Sequence, residues 1–246
     1  MKIQIYFAEG DNLPAMDLSK HREVIFTADG SPTIFIPSMH VTYHSKHGAV
    51  QESMHIFIKA GLMHAAHNTK SIRIFELGFG TGLNALLSLQ FAIKHNLEIY
   101  YFTTELFPLY EEEYIQLNYS RHINDTSLHH YFLQMHACAP EQDIEICPQF
   151  TLHKTKQAVA AISQRKHFNL IYFDAFDPAA QPELWAKEIF DAMYSIMNND
   201  AVLVTYCSKG DVRRAMLAAG FTVEKLKGPP GKREILRAWK KADMYV

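Results

Sequence analysis

An apolar run, Ile72-Arg73-Ile74-Phe75-Glu76-Leu77, stops at Gly78-Phe79-Gly80-Thr81-Gly82 and passes into residues 83–95, where Leu86, Leu87, Leu89, Phe91 and Ile93 read as helical. A strand, a glycine turn and a helix in that order open a Rossmann-like unit, because glycine backbone can approach a ligand closely at a strand end. The pattern then repeats. Residues 99–104 form a second strand closing on Glu105, 150–152 a third, the apolar 168–173 a fourth ending at Asp174, and 201–206 a fifth. Helices are expected over 108–136 (broken at Asn124-Asp125), 157–164, 182–197 and 212–219. Two last strands, 221–226 and 234–239, flank Gly228-Pro229-Pro230-Gly231. These seven strands imply an α/β fold, a mostly parallel sheet with helices on both faces and an antiparallel edge.

Residues 1–70 read as an extension ahead of a main domain at 71–246. Runs at 23–27 and 33–36 around Asp29-Gly30-Ser31-Pro32 indicate a β-hairpin. Residues 50–67 follow as a helix with Ile56, Phe57, Ile58, Leu62 and Met63 on its apolar stripe. The chain has 246 residues, 48% hydrophobic, with a net charge of −2, which excludes dominant disorder. No apolar run reaches the roughly 18–20 residues that span a bilayer, so no membrane association is expected. Met1–Asp11 lacks the apolar core and cleavage site of a secretory leader. Cys138, Cys147 and Cys207 form no CxxC, which points to a reducing, cytoplasmic setting. From Lys209 onward ten Lys/Arg face four Asp/Glu, a net +6 that suits contact with a polyanion or a solvated basic face equally well.

The glycine spacing is acid-x-G-x-G-x-G; Leu83 stands where the dinucleotide fingerprint needs its third glycine. That form resembles motif I of class I S-adenosylmethionine methyltransferases, whose leading acid, here Glu76, can hold the methionine amino group. A purely structural turn or a nicotinamide site remain alternatives. Glu105, 23 residues after Gly82, sits where a carboxylate binds ribose hydroxyls, a placement that serves either nucleoside or simply a solvated acid. Asp174 leaves the fourth strand where chemistry occurs in such sheets and can accept a proton from an amine. Asp177 is a second acid there, although Asp before Pro is also a common turn residue. The fourteen histidines include no HExxH motif and no Cys partner, so no metal is expected.

Glu76–Asn84 (ELGFGTGLN), Asp174–Trp185 (DAFDPAAQPELW), Leu203–Arg214 (LVTYCSKGDVRR) and Gly228–Arg237 (GPPGKREILR), with Thr42–Ser45 and Gly48–Ser53 upstream, resemble the MnmC-like tRNA methyltransferase domain over about residues 20–240. The family's FAD-dependent oxidase domain has no counterpart here, so the likeness is to the stand-alone, MnmD-type form. The resemblance implies a class I fold, S-adenosyl-L-methionine as cofactor and the tRNA anticodon region as partner. The implied reaction is N-methylation of 5-aminomethyl-2-thiouridine at the wobble position. It assigns Glu76, Gly78, Gly80, Gly82, Glu105 and Asp174 to the cofactor and Asp174 to catalysis. Tyr43, His44, Ser45 and Glu52 fall at the substrate mouth, Phe176 on the pocket wall, and Lys209, Arg213, Lys232 and Arg233 on tRNA phosphates. Trp185 serves the pocket wall or the core. His153-Lys154-Thr155-Lys156 departs from the pair expected to hold adenine. Two other readings are a spermidine-synthase-like aminopropyltransferase and a non-catalytic nucleic-acid-binding protein.

Overall fold

The structure, a computed structural model, describes residues 21–162 and 167–240. The leader reading at Met1–Asp11, the end of the helix expected over 157–164, and Lys241 and Asp243 of the basic tail lie outside these residues.

Strands β1 (Glu23–Phe26), β2 (Pro32–Ile36) and β3 (Val41–Thr42) form a small antiparallel sheet. The hairpin turn is tied by Asp29, which accepts from the Ser31 N–H at 3.0 Å and the Thr27 hydroxyl at 2.7 Å. Helix α1 follows over 49–65, and its middle, Met54–Leu62, is π-helical. Hydrogen bonds from i to i+5 turn successive side chains through a smaller angle than in an α-helix. Three consecutive residues, Ile56, Phe57 and Ile58, therefore all face inward at 2% exposure or less, whereas Met63 of the expected stripe is 52% exposed.

The main sheet combines β4 (Ser71–Leu77), β5 (Glu98–Thr104), β6 (Asp143–Cys147), β7 (Phe150–Thr155), β8 (Phe168–Phe173), β9 (Met197–Thr205), β10 (Thr222–Lys227) and β11 (Glu234–Trp239). Its order is β10-β11-β9-β8-β4-β5-β7-β6, with β9, β8, β4, β5 and β7 parallel. Among the described residues the sheet thus carries eight strands rather than the expected seven, the extra one being edge strand β6, antiparallel to β7. The β10–β11 pair forms the other, antiparallel edge.

Alternation along the central strands feeds two cores. Ile74, Tyr101, Tyr172 and Val204 point to α1, α2 (Leu83–His95) and α3 (His129–Ala137), packing with Phe57, Leu86 and Phe132. Phe75, Phe102, Phe173 and Leu203 point the other way, to α4 (Lys187–Ile196) and α5 (Gly210–Ala218), packing with Phe190 and Met216. Ile34 of the small sheet and Ala49 of α1 belong to the first of these cores. The helical stretch expected over 108–136 is divided into Glu111–Tyr114, Tyr119–His122, Thr126–Leu128 and α3, with Asn124 at φ +55° marking one break. No helix among the described residues is long and apolar enough to cross a membrane.

Chain order reverses at β4: β5 lies on one side and β8 on the other. The C-terminal ends of β4 and β8 consequently diverge into a crevice, the usual ligand position in an open α/β sheet. Helix α1 reaches this sheet through Gly61, where an added Cβ would lie 2.9 Å from Val204 Cγ2 and 3.3 Å from Tyr172 Cε1. Gly61→Ala is therefore expected to cost about 1–3 kcal/mol of stability through overpacking, read by urea denaturation. An unchanged midpoint and slope would show that helix and sheet part without cost.

Candidate active site

The turn after β4 is built on left-handed backbone: Gly78 at φ +90°, Gly80 at +54° and Gly82 at +72°. A side chain at Gly82 would collide with His136 Nε2 and Phe79, and one at Gly80 would press on Tyr43. At Gly78 the nearest atom is Asp174 O at 3.8 Å, so there the demand is conformational. The Gly80 N–H donates to Glu105 Oε2 at 2.8 Å, and the Phe107 N–H donates to Oε1 at 2.8 Å. Glu105, at the end of β5, thus fastens the turn while each oxygen keeps lone pairs for further donors.

Below the turn, Asn84 in the first turn of α2 divides its amide between two acids. Its Nδ2 donates to Glu76 Oε1 at 2.9 Å and to Asp174 Oδ2 at 2.9 Å. Glu76 is 1% exposed, and its second oxygen has no partner among the described residues. Burial raises the Glu76 carboxyl well above the ordinary range, with the Asn84 hydrogen bond working against it. Asp174 is pushed up to about 7 by burial and then by Glu52, with Asn84 and Lys232 opposing.

The small sheet and α1 roof the crevice. Tyr43 meets Phe176 edge to face at 5.0 Å between centroids. Buried His44 links the two halves, with Nδ1 2.9 Å from Thr33 Oγ1 and Nε2 3.4 Å from Thr81 Oγ1. Burial lowers it to about 4, so it is neutral near pH 7. The Ser45 N–H donates to Glu52 Oε2 at 2.8 Å, while Glu52 Oε1 pairs with Lys232 Nζ at 2.8 Å. That ammonium also lies 3.8 Å from the centroid of the Tyr206 ring. Two donors pin the segment after β8: Tyr206 OH to Ala175 O at 2.8 Å, and Trp185 Nε1–H to Phe176 O at 2.7 Å. Trp185 belongs to the core beneath and acts on the wall through that bond.

The cleft encloses about 320 Å³ and is lined by Tyr43, His44, Ser45, Glu52, Gly78, Gly80, Glu105, Asp174, Phe176, Asp177 and Lys232 among others. Glu76 and Gly82 lie under the lining instead of on it. Lys232 turns inward, away from any external phosphate, whereas Arg233 beside it is exposed. Lys209 pairs with Asp177 Oδ1 at 2.6 Å, outside the cleft, and Arg213 on α5 is half-buried away from it. The segment in place of an adenine-holding pair is otherwise engaged: Lys154 Nζ donates to Met135 O and His136 O at the end of α3. No group of three or more potential metal ligands occurs among the described residues. Sequence reasoning did not single out Asn84 or Tyr206. An amide among the apolar residues of the helix's first turn was the available signal for the former.

Positive-φ glycines bordering open space, a carboxylate at the end of β5 and a carboxyl at the end of β8 fit S-adenosyl-L-methionine; Gly78, Gly80, Glu105 and Asp174 would hold it. Residues 121–241 match a protein family described as S-adenosyl-L-methionine-dependent methyltransferase. Fold, site and that match together define an enzyme of this class, with S-adenosyl-L-methionine as its cofactor. The chain is 26% identical over 235 residues to the tRNA 5-methylaminomethyl-2-thiouridine biosynthesis bifunctional protein MnmC of Pseudoalteromonas atlantica, covering 88% of this chain and 33% of that protein. With the same-named protein of an Azoarcus species the identity is 29% over 223 residues, covering 86% and 34%. The chain thus spans about a third of the length of these curated relatives. The solved structure of MNMC2 from Aquifex aeolicus superposes with a TM-score of 0.72 at 26% identity, covering 92% of this chain and 72% of that one. Within that class, the chain is similar to MnmC proteins and to the MNMC2 structure over most of its length.

The acid network gives a pH signature. Asp174 titrates near 3.8 when unfolded and about 7 when folded, so between those values the folded chain holds a proton the unfolded chain has released. This contribution is complete below about pH 4 and is lost as pH rises toward 7. His44 and His136, held at about 4 and 3, work in the opposite sense below their ordinary 6.5, so the comparison must be differential. Relative to Asp174→Asn, the wild type is expected to lose stability from pH 4 to 7 by up to ~1.4 kcal/mol per pH unit, one proton's worth. Parallel denaturation curves for the two proteins would overturn that reading.

Proposed function

We propose that the chain methylates the exocyclic amine of 5-aminomethyl-2-thiouridine at the tRNA wobble position, giving 5-methylaminomethyl-2-thiouridine. The observation that carries this reading is a carboxyl, Asp174, set at the cleft wall on a neutral Asn84 amide beside a second acid, Glu52. The names of the curated relatives supply the nucleoside.

An alkylammonium of pKa about 10 is neutral in roughly one molecule per thousand at pH 7, a cost of about 4 kcal/mol to any nitrogen nucleophile. Bound S-adenosyl-L-methionine supplies an electrophilic methyl group. Asp174, as carboxylate, orients the ammonium and takes its proton, a task suited to a group titrating near the working pH. Asn84 fixes the carboxylate through Oδ2, leaving Oδ1 for the substrate. The Phe176 ring, held by Tyr43 on one side and by Trp185 through its carbonyl, narrows the wall and excludes water. The tRNA backbone would reach the surface about exposed Arg233 and α5, which carries Arg213.

Asp174→Ala is expected to leave S-adenosyl-L-methionine affinity by calorimetry within about tenfold and to lower methyl transfer at least ~100-fold. The assay uses tRNA bearing the aminomethyl nucleoside, read by nucleoside mass spectrometry, with putrescine and decarboxylated cofactor as the control pair. Turnover equal to wild type would remove Asp174 from this role, and product from the control pair alone would replace the reading by aminopropyl transfer.

A further inference from the structure

Among the described residues of the basic tail, Lys232 is the one whose charge lies inside the cleft, and its surroundings are those of a bound ligand. Its ammonium pairs with Glu52, which is 7% exposed, and sits over the face of Tyr206. A buried carboxylate beside an aromatic face is the arrangement that recognises an alkylammonium. The cage is rigid without help from Lys232. Glu52 is fixed by the Ser45 N–H through its other oxygen, and Tyr206 by the Ala175 carbonyl. Both line the cleft that also contains Asp174.

The loop carrying Lys232 is shaped to deliver it. The Lys232 N–H donates to Pro229 O at 2.9 Å and the Gly228 N–H to Arg233 O at 3.1 Å, closing a tight connection between β10 and β11. Gly231, at φ +86°, rests where a Cβ would collide with the His47 ring, and one at Gly228 would collide with the Lys232 carbonyl. On the β10 side, the His55 ring is 2.8 Å from Lys227 O, which moors the loop to α1. A lysine placed only to meet a phosphate would need none of this.

We infer that the Glu52–Tyr206 cage is the subsite for the substrate's alkylammonium and that Lys232 is an internal stand-in which the substrate displaces. This rests on the proposed amine methylation and adds to it where the amine is read. In the free chain the lysine keeps a buried carboxylate paired, which avoids the penalty of an unmatched buried charge. Two cations cannot share one carboxylate and one ring face, so an entering amine must expel Lys232. Ligands without a cationic nitrogen have no means of doing so, and the exchange therefore selects for the amine.

The test vacates the cage. In Lys232→Ala, ethylammonium chloride is expected to raise Tm by about 3–5 °C at tenfold its Kd, compared with sodium chloride at equal ionic strength. Wild type and the Glu52→Gln/Lys232→Ala double variant should show no such difference. An equal shift in wild type, a shift retained in the double variant, or no amine-specific shift in Lys232→Ala would overturn the inference. Lys232→Gln, which keeps the aliphatic stem on Tyr206, provides a second reading should the alanine variant fail to fold. Its KM for an anticodon stem-loop bearing the aminomethyl nucleoside should be unchanged or lower. A raised KM with a salt dependence lowered by about one phosphate contact would assign Lys232 to the tRNA backbone and overturn the inference. The ethylammonium measurement involves neither tRNA nor methyl transfer, so its failure and that of the proposed function are distinguishable.

Discussion

One amide holds the site together. Asn84 donates from a single nitrogen to acids at the ends of two neighbouring strands, Glu76 on β4 and Asp174 after β8, at the point where chain order reverses. Parallel strands diverging there would leave their terminal carboxylates separately solvated. The helix entering from the glycine turn places a donor between them. That placement needs Gly82 to bring α2 close, because a side chain at that position would strike His136 and Phe79 and push the first helical turn away. The glycine turn thus both frees backbone for a cofactor and sets the register of Asp174.

The roof over the crevice comes from a separate piece of chain, and a neutral histidine joins the two. His44 is contacted by the Thr33 hydroxyl of the small sheet and the Thr81 hydroxyl of the glycine turn, a geometry a buried imidazole can keep without charge. A charged group there would need a counter-ion, and the nearest acids are committed elsewhere: Glu52 to Ser45 and Lys232, and Asp29 to the hairpin. Tyr43 and Glu52 enter the cleft on either side of this link, so the extension completes the site as well as the core.

Central strands announced themselves in the sequence because they are buried on both faces: Ile72–Leu77 and Phe168–Phe173 read as mostly apolar runs, interrupted only by Arg73, Glu76 and Asn169. Asp143–Cys147 escaped notice, since an edge strand of five residues with two acids resembles a polar loop. The π-helical stretch Met54–Leu62 carried its apolar residues in the right region but at a turn angle that a helical template assigns wrongly, which exposed Met63. Strand-end positions Glu105 and Asp174 were legible because topology alone puts strand ends at the crevice. Asn84 was not, because its importance depends on an acid 90 residues away. Lys232 in Gly-Lys-Arg reads as an external charge, and its inward course becomes visible only once Gly231 is seated against His47.

What distinguishes Asp174 from the other acids of the cleft is the company each keeps. Glu105 accepts two backbone N–H groups, Asp177 a lysine and a backbone N–H, Glu52 a lysine and a backbone N–H. Asp174 has the neutral Asn84 amide and a carboxylate neighbour, and burial does the rest, moving it to about 7. Glu76 shares the same amide but is buried beneath the lining at 1% exposure. Asp174 can thus both meet a substrate and change charge near neutral pH. A nucleophile that must shed one proton before it can react needs one such group and is ill served by several.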